Sequence, residues 1–414
     1  MSNTRLDYEK PARRTIISAI MLAVFSIFAQ YDLPVLSYGI WGILLCCLAL
    51  WAMGGYIYFN KSILAFVLFS FVQQFIIYIY SGTLSDNLNT YFFMVVCLFI
   101  LSLAANVNSE DFAKAYYIIA VICGIIVLYQ FFMDNIMGVP QQPIQFLPIS
   151  EENQFNWKMD LTRASGLFTE PQAFSSYILP LLIYLLFNDK YKSAIFFTIV
   201  IFASESSQGI ILTAFFWVYF LVKSGRLDAN KLIKILSVII GAIVLAVILS
   251  QTKMFAAVFE KIGTINIFGY DIRLTKGFQI FFAMPFFDKL FGIGFGNLAE
   301  YLKSGGFHFW WMPLTQPQLL GYVTTMAGVL IHYGIIGFVI YINIFLNNKK
   351  SRSGLSKALL LLIFISSFSQ TILFNAWFIF YWVVFEIFDD KDFERYYILY
   401  VGFNTERRRQ VYSQ

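Results

Sequence analysis

Long apolar segments alternate with short polar connections over most of the chain. A helix needs about 20 apolar residues to cross the roughly 30 Å hydrocarbon core of a bilayer. The pattern predicts ten segments of about that length, at residues 15–33, 38–59, 62–80, 90–106, 115–133, 171–187, 235–250, 319–346, 358–373 and 374–388. Each is expected to be a transmembrane helix.

A further apolar stretch, residues 193–222, has the polar sequence Glu-Ser-Ser-Gln at 205–208 in its middle. It is too long for one straight span and short for two. Non-helical backbone at membrane depth is tolerated only where protein or a water-filled cavity covers it, so this stretch predicts a hairpin of two short, tilted helices. The total is then about 12 spans, within a range of about 10 to 13. The predicted fold is an all-α polytopic membrane protein, with residues 1–414 as one integral membrane domain.

Composition and charge support this interpretation. Hydrophobic residues make up 59% of the chain, whereas soluble domains contain roughly 45–50%. Of the 29 basic residues, 21 fall in alternate connections and the other eight in two long loops on the opposite side. Cytoplasmic loops carry an excess of Lys and Arg, so both termini are predicted to be cytoplasmic. The net charge of +5 then indicates membrane lipids, and no nucleic acid, as partners.

The tail at residues 389–414 is predicted to form a short helix on the cytoplasmic membrane surface. The two long loops, residues 134–170 and 251–318, are expected to carry the functional residues, because the other connections are too short to hold much chemistry. Residues 277–287 are apolar but too few to cross a bilayer, which predicts an amphipathic or re-entrant helix. All four cysteines fall inside apolar spans, so neither a metal nor another cofactor is expected.

The first group of candidate residues lies where the first long loop meets a span, in the sequence RASGLFTEPQ at 163–172. Pro171 suits the first position of a helix, with one of the two preceding residues as its cap. Gly166 permits a tight turn that brings the backbone close to a ligand. Arg163, at headgroup level, can bind a phosphate through two hydrogen bonds. The alternative is that Arg163 is anchored to lipid phosphates or paired with Glu170.

The second group begins with Arg273 and Lys276 and ends with Gly-Ile-Gly-Phe-Gly-Asn at 292–297. The alternating glycines resemble a phosphate-binding loop only superficially, because no strand–helix unit surrounds them. They predict a flexible turn instead. Arg273 together with Arg163 suits a strongly anionic ligand such as a diphosphate. The alternative is that the cations of this group are solvated loop charges.

His308 lies in an aromatic sequence, Gly-Gly-Phe-His-Phe-Trp-Trp at 305–311, of the kind that lines ligand pockets. A neutral imidazole there is a candidate general base toward a hydroxyl. His332 falls inside a span, where it either has a functional role or bonds across helices. Glu205, in the middle of the predicted hairpin, is either a functional acid or a solvated turn residue.

Together these residues resemble the O-antigen polymerase and O-antigen ligase superfamily. The Arg-x-x-Gly-Leu-Phe-x-Glu-Pro run before a helix is similar to the family signature. The later Arg, Pro and Gly-x-Gly-x-Gly-Asn are similar to its second large periplasmic loop, and a helix with Gly-Ile-Ile-Gly follows. The residues that carry the resemblance, within 160–345, are Arg163, Gly166, Leu167, Phe168, Glu170, Pro171, Arg273, Pro285, Gly292, Gly294, Gly296, Asn297 and Gly334 to Gly337.

The resemblance implies a fold like that of the GT-C membrane glycosyltransferases. It also implies a metal-independent enzyme of the bacterial inner membrane that acts on undecaprenyl-diphosphate-linked oligosaccharides at the periplasmic face. Arg163 and Arg273 would bind the donor diphosphate and stabilise the charge that develops on the leaving group. Glu170 and His308 are the other expected catalytic residues, and His308 is assigned from its aromatic surroundings because no family motif contains it. The residues expected to bind substrate are Gly166, Gln172, Gln208, Lys276, Asn297, Trp310 and Trp311.

Within that expectation, Trp310 and Trp311 are platforms for sugar rings or, alternatively, members of an interfacial aromatic belt. The apolar segment at 277–287 would hold the lipid tail. A polysaccharide chain-length regulator is a further expected partner.

Two departures from the family pattern bear on the activity. Relatives carry Ser-Arg-Gly between the central helices, whereas Gln208 stands here in place of the Arg. Ligases place a His-Asn pair before the Gly-Ile-Ile-Gly helix, a region that here contains Pro317, Gln318 and Gly321. The sequence therefore favours polymerisation of repeat units into an O-antigen or capsule-type polysaccharide. The alternatives are an O-antigen ligase that transfers glycan to lipid A core, and a flippase or transporter for lipid-linked oligosaccharides.

Overall fold

The computed structural model describes ten segments of the chain, which are residues 12–31, 37–52, 55–81, 88–148, 163–223, 272–312, 320–348, 353–373, 375–389 and 395–401. The predicted span at 235–250 lies outside the described residues. So do residues 149–162, 251–271 and 313–319 of the two long loops, and the tail beyond residue 401.

Helices account for 75% of the described residues, so this part of the chain is mainly α-helical. In chain order the helices are α1 (Ala12–Phe28), α2 (Tyr38–Ala52), α3 (Lys61–Ser81), α4 (Leu88–Ala105), α5 (Ser109–Asn135), α6 (Pro171–Phe187), α7 (Tyr191–Ala203), α8 (Ser207–Lys223), α9 (Ile272–Ala283), α10 (Phe286–Phe291), α11 (Leu298–Ser304), α12 (Thr325–Asn348), α13 (Gly354–Ser369) and α14 (Ala376–Phe388). Two short strands, β1 (Gly55–Asn60) and β2 (Tyr396–Val401), complete the described secondary structure.

The described helices have the apolar character expected of a membrane protein. Three of them, α3, α5 and α12, contain stretches long and apolar enough to cross a bilayer, and eight shorter helices are also apolar. Large side chains such as Ile79 and Ile122 are more than half exposed, an arrangement that suits contact with hydrocarbon better than contact with water. These features are consistent with an all-α membrane protein. The number of spans, the GT-C-like fold and the orientation stay predictions.

The hairpin predicted at 193–222 is present. It consists of α7 and α8, joined by a turn at 204–206. Trp217 Nε1 of α8 donates to Thr198 Oγ1 of α7 at 2.9 Å. α6 packs against both helices. Gly209 permits this close approach, because a Cβ there would lie only 2.5 Å from Cβ of Ser175.

The two strands show that two sequence predictions were wrong. β1 occupies the residues predicted to end the second span, and β2 lies in the tail predicted to be helical. They pair antiparallel, with Asn60 opposite Tyr396. Both sequences, Gly-Tyr-Ile-Tyr-Phe-Asn and Tyr-Tyr-Ile-Leu-Tyr-Val, are rich in aromatic and β-branched residues. Such residues favour strands once a partner strand is available.

The sheet marks one end of the helical bundle, called here the sheet end. Tyr58 N donates to Ser102 Oγ of α4 at 2.9 Å, and Asn60 Nδ2 donates to Glu386 Oε1 of α14 at 3.1 Å. The basic residues near the helix termini at this end are Lys61, Lys114, Lys190, Lys192, Lys223, Lys357 and Arg395. The opposite end, called the loop end, contains the end of α5, the start of α6 and the α7–α8 turn.

α12 is broken at Gly334, where φ is 66° and ψ is −172°. A break of this kind frees carbonyls that would otherwise accept helical hydrogen bonds. The segment after α10 supplies replacement donors, since Ile293 N donates to Ile331 O at 3.1 Å and Gly294 N donates to His332 O at 2.9 Å. The second long loop thus folds back against the interior of the bundle. α12 is long and apolar enough to be the span predicted at 319–346, but it is broken within that span.

The apolar segment at 277–287 forms most of α9 and the start of α10. α9 has 12 residues, which gives a length of about 18 Å and is too short to cross a bilayer. It packs against α12 and α13, while α10 packs against α12. Gly277 lies at the α9–α12 contact, where a Cβ would lie 2.4 Å from Cβ of Ala327. A re-entrant position within a membrane stays a prediction.

Candidate functional site

Glutamine side chains hold the loop before α6 against the ends of two other helices. Gln130 Oε1 of α5 accepts hydrogen bonds from Ser165 N at 3.2 Å and from Gly166 N at 2.7 Å. Gln30, just after α1, accepts from Thr169 N at 2.9 Å and from Thr169 Oγ1 at 3.1 Å. The backbone of this loop is therefore fixed at the loop end of the bundle.

Much of the sequence at 163–172 has a structural role. Gly166 has a φ of 68°, and a Cβ there would lie 3.0 Å from a side-chain carbon of α5. Phe168 is fully buried. Pro171 is the first residue of α6 and follows Glu170 as the N-cap, although the Glu170 side chain makes no capping hydrogen bond. Backbone geometry and packing therefore explain why Gly, Phe and Pro stand at positions 166, 168 and 171.

The two charged residues of this sequence are both at least partly exposed. Arg163 is half-buried and Glu170 is exposed, whereas the residues between them are mostly buried. Both side chains remain accessible to a molecule at the loop end. The placement of Arg163 at headgroup level and its role in binding a diphosphate stay predictions.

The α7–α8 turn brings a further acid to the same end of α5. Glu205 is 9% exposed and has a φ of 57°, in the left-handed region that non-glycine residues seldom adopt. Its Oε1 accepts a hydrogen bond from Asn135 Nδ2 at 3.4 Å. Asn135 follows Gln130 by five residues, or about 7.5 Å along the helix. Burial excludes the solvated-turn interpretation, and a buried residue with a strained backbone is typical of functional sites.

A chain of uncharged polar side chains joins α6, α8 and α13. Gln172 Nε2 donates to Gln208 Oε1 at 2.9 Å, and Gln208 Nε2 donates to Ser369 Oγ at 2.9 Å. The hydroxyls of Ser175 and Ser206 are 2.9 Å apart. Two predicted substrate-binding residues, Gln172 and Gln208, are therefore in direct contact at the loop end.

α12 joins this network through Gln370. The Gln370 side chain donates from Nε2 to Ser176 Oγ at 3.1 Å. Its backbone carbonyl accepts hydrogen bonds from Thr325 N and Thr325 Oγ1, both at 2.9 Å. The start of α12, the end of α13 and the start of α6 thus meet in one polar layer.

Arg273 is the second residue of α9, and its side chain lies outside the described residues. α9 packs against α12 and α13, and α13 also packs against α6. The helix that follows Arg163 and the helix that contains Arg273 therefore have α13 as a common neighbour. Contact of both guanidinium groups with one ligand stays a prediction.

Lys276 and Trp311 belong to the interior of the second loop. Lys276 is 3% exposed and Trp311 is 1% exposed. The Lys276 Nζ atom lies 4.8 Å from the centroid of the Trp311 ring, and Trp311 Nε1 donates to Gln279 Oε1 at 2.9 Å. Burial lowers the pKa of Lys276 to about 8. Burial contradicts the alternative interpretation of Lys276 as a solvated charge, while its role in binding substrate stays a prediction. Trp311 has no exposed ring face to serve as a sugar platform.

Side chains alternate between interior and surface along residues 307–311. The rings of Phe307, Phe309 and Trp311 form a stack, with centroids 6.0 Å and 5.1 Å apart. His308 is exposed, and Trp310 is 48% exposed. The predicted base and one predicted aromatic platform therefore lie on the outward face of this segment, which is consistent with their assignment but does not test it.

The segment with the alternating glycines packs against the broken helix α12, a contact called here the glycine joint. All three have φ values between 77° and 86°. A Cβ at Gly292 would lie 2.3 Å from His332 O, so only glycine fits there. His332 Nδ1 lies 3.0 Å from Gly294 O, so it bonds to the segment after α10 and not across two helices. Asn297 Nδ2 donates to Ile293 O at 2.8 Å, which gives this predicted ligand-binding residue a structural role.

A small cavity of about 150 Å³ lies beside this joint. Its wall includes Gly296, Thr324, Thr325 and Thr371. Thr324 Oγ1 is buried and has no hydrogen-bond partner among the described residues. Thr325 belongs to the polar layer around Gln370. The three threonines give this cavity a partly polar wall, which suits a small polar group or water.

Sequence reasoning missed several polar residues of the loop end, chiefly Gln30, Gln130, Thr325 and Gln370. In the sequence, the one feature that could have identified them is that each is a polar residue within or beside an apolar segment. Among the described residues, no cluster of three or more His, Cys, Asp or Glu side chains is suited to a metal ion. The loop end offers guanidinium, carboxylate, amide and hydroxyl groups for binding.

No model of a known protein family matches this chain, and no curated protein matches it.

Proposed function

We propose that this chain is a membrane glycosyltransferase that polymerises undecaprenyl-diphosphate-linked oligosaccharide repeat units at the periplasmic face of the bacterial inner membrane. One observation carries the proposal. α13 packs against α6, which follows Arg163, and against α9, which contains Arg273. The two groups with family-like sequences are thus neighbours of one helix, at the end of the bundle opposite to most of the described basic residues.

In the proposed reaction, a sugar hydroxyl of a new lipid-linked repeat unit attacks the anomeric carbon of the growing chain. The bond from that carbon to the diphosphate oxygen breaks, and undecaprenyl diphosphate leaves with the electron pair. Arg163 and Arg273 bind the diphosphate and stabilise its developing charge. The hydroxyl proton passes to a general base. Two described candidates are Glu205, held by the end of α5, and the exposed His308.

The neutral polar groups of the loop end suit recognition of sugar hydroxyls. Gln172 and Gln208 already hydrogen-bond to each other, so their side chains are oriented before a ligand arrives. Thr324, Thr325 and Thr371 line the nearby cavity. Amide and hydroxyl groups of this kind fix the orientation of a ligand without attracting unrelated anions.

An apolar groove suits the polyprenyl tail of the substrate. It has a volume of about 870 Å³ and lies between α3, α10 and α12. Its lining includes Phe69, Val72, Ile76, Phe287 and Phe291. A long hydrocarbon chain favours such a surface over water. The groove lies directly beside the apolar segment in which the sequence predicts the tail.

The test is reconstitution of the purified chain into vesicles with a purified lipid-linked repeat unit. We expect a ladder of products that differ by one repeat unit. Arg163→Ala and Arg273→Ala should each lower the initial rate roughly 100- to 1000-fold, because each removes one donor to the leaving group. Lys303→Ala is the matched control, since Lys303 is an exposed cation of the second loop, and should keep the wild-type rate.

Three outcomes contradict parts of the proposal. A ladder that persists undiminished in both Arg variants removes these residues from the mechanism. Transfer of a finished chain to a lipid A core acceptor, with no ladder, identifies a ligase. Movement of the intact lipid-linked unit across the bilayer without bond formation identifies a flippase.

A further inference from the structure

A polar cavity lies at the sheet end, away from the candidate glycosyltransferase site. It has a volume of about 400 Å³ and lies between the start of α5, the end of α6 and the start of α7. Its polar lining consists of Glu110, Lys114, Tyr117, Tyr184, Lys190 and Ser193. The proposed polymerisation uses none of these residues.

The cavity contains charges of both signs beside the hydroxyls of Tyr117, Tyr184 and Ser193. Lys114 and Lys190 are exposed, and neither has a salt bridge to another described residue. Tyr117 OH of α5 and Ser193 Oγ of α7 lie 3.1 Å apart in the same cavity. Glu110 contributes a carboxylate to the same wall. The cavity therefore offers donors for an anion and an acceptor for a cation.

An apolar groove begins at the same lysine. This second cavity, also about 400 Å³ in volume, lies between α1 and α5. It is lined by Ile16, Ile20, Ala115, Ile118 and Ile119, with Asp111 and Lys114 at its polar edge. Lys114 lines both cavities, so the polar cavity and the apolar groove adjoin. A polar compartment joined to an apolar one matches an amphipathic ligand.

We propose that these two cavities bind one phospholipid whose headgroup contains a primary amine, of the phosphatidylethanolamine type. The phosphate accepts charge-assisted hydrogen bonds from Lys114 and Lys190. The headgroup ammonium donates to the Glu110 carboxylate. An acyl chain lies in the groove against Ile20 and Ile118, where it removes apolar surface from contact with water. Basic pockets between membrane helices bind lipid headgroups in this manner.

The charge arrangement selects between headgroups. A purely anionic headgroup, such as phosphoglycerol, leaves the Glu110 carboxylate without a cation. A choline headgroup has a positive charge but no N–H group to donate. Only a zwitterion with a primary ammonium satisfies both lysines and the carboxylate. Selectivity then depends on Glu110, whereas affinity depends on the lysines.

Native mass spectrometry of the purified full-length chain tests this proposal, with phosphatidylethanolamine, phosphatidylglycerol and phosphatidylcholine that have identical acyl chains. We expect the ethanolamine lipid to bind most tightly. The double variant Lys114→Gln, Lys190→Gln should weaken its binding by about tenfold or more. The matched control, Lys223→Gln with Lys357→Gln, changes two cations of the same end outside both cavities and should bind as the wild type does.

Glu110→Gln separates selectivity from affinity. This variant should retain phospholipid but lose the preference for ethanolamine over choline. A second measurement needs no variant: a photoreactive diazirine on the acyl chain of the ethanolamine lipid should label peptides of α1 and α5. Equal affinity for the three lipids, tighter binding of the glycerol lipid, or labelling confined to other helices overturns the proposal.

Discussion

The two long loops are attached to the bundle by different means. The first loop is held by side chains, because Gln30 and Gln130 accept hydrogen bonds from its backbone. In the second, the backbone donates to carbonyls that the break at Gly334 frees in α12, and the side chains of Gln73 and His332 add bonds to the same segment. The first attachment depends on the identity of two amide side chains, whereas the second also depends on glycines that let two backbones approach closely.

This difference indicates how each loop responds to substitution. A bond made by a side chain disappears when that side chain changes, and the rest of the loop keeps its shape. A bond between two backbones disappears only when the backbones move apart, for which an added methyl group at a close contact is sufficient. Changes at the glycine joint should therefore cost more than changes at the glutamines.

Gly334→Ala should produce the largest effect. A Cβ there would lie 2.3 Å from Leu290 O, and φ at Gly334 is 66°. We expect a loss of more than about 3 kcal/mol in the free energy of unfolding in detergent, because strain and steric overlap act together. The measurement is the midpoint of denaturant unfolding.

Gly306→Ala separates these two causes. Gly306 has a φ of 65°, but a Cβ there would have no neighbour within 4 Å. This control should lose only about 1 kcal/mol, from backbone strain alone. Equal losses in the two variants would show that the close approach of the second loop to α12 is not a tight contact.

Gln130→Leu should produce an intermediate effect. It leaves Ser165 N and Gly166 N without their acceptor, and Gln142 O loses the donor Nε2 at 3.0 Å. We expect a loss of about 2 kcal/mol and faster amide hydrogen exchange at residues 165 and 166. Gln141→Leu, which changes a glutamine of the same loop, should stay within about 0.5 kcal/mol of the wild type. Unchanged exchange at 165 and 166 would remove Gln130 as the attachment point.

A pH titration should reveal the smallest effect. Burial holds the pKa of Lys276 at about 8, whereas an unfolded Lys titrates at 10.5. Between these values the unfolded chain binds more protons than the folded chain, so stability rises as pH rises through this window. We expect a rise of about 1 kcal/mol, reduced from the full shift by solvent screening and by the Trp311 ring.

Lys276→Met tests the origin of that rise. The rise should vanish in this variant and persist in Lys303→Met, which changes an exposed lysine of the same loop. A rise of the same size in both variants would assign it to another group.

The helices were largely predictable because a membrane imposes a minimum apolar length. The span predicted at 171–187 coincides with α6, since Pro171 fixes its start. The strands were not predictable by the same argument. β1 begins only three residues after the end of the apolar helix α2, so its residues were assigned to the same span, and the partner that makes them a strand lies far away in the sequence. The break at Gly334 depends in the same way on a distant segment.

The candidate site was predictable where the local backbone requires a residue type, as at Gly166 and Pro171. Gln172 and Gln208 were each predicted to bind substrate, but their contact with each other was not predicted, because it depends on the packing of α6 against α8. Other features depend on the tertiary fold. Side chains alternate between surface and interior at 307–311, with Trp310 exposed and Trp311 buried. The local sequence does not show which of the two alternating sets is buried. Residues such as Gln130 acquire a role only when the loop reaches them.

The pairing of β1 with β2 constrains the order of events during synthesis. Asn60 and Tyr396, which face each other, are separated by 336 positions in the chain. At about 5–20 residues per second, translation of that interval takes roughly 17–70 s. Until then β1 has neither its partner strand nor the acceptor of the Asn60 amide on α14. A nascent product that stops before Tyr396 therefore retains an unpaired strand edge, which is a template for aggregation.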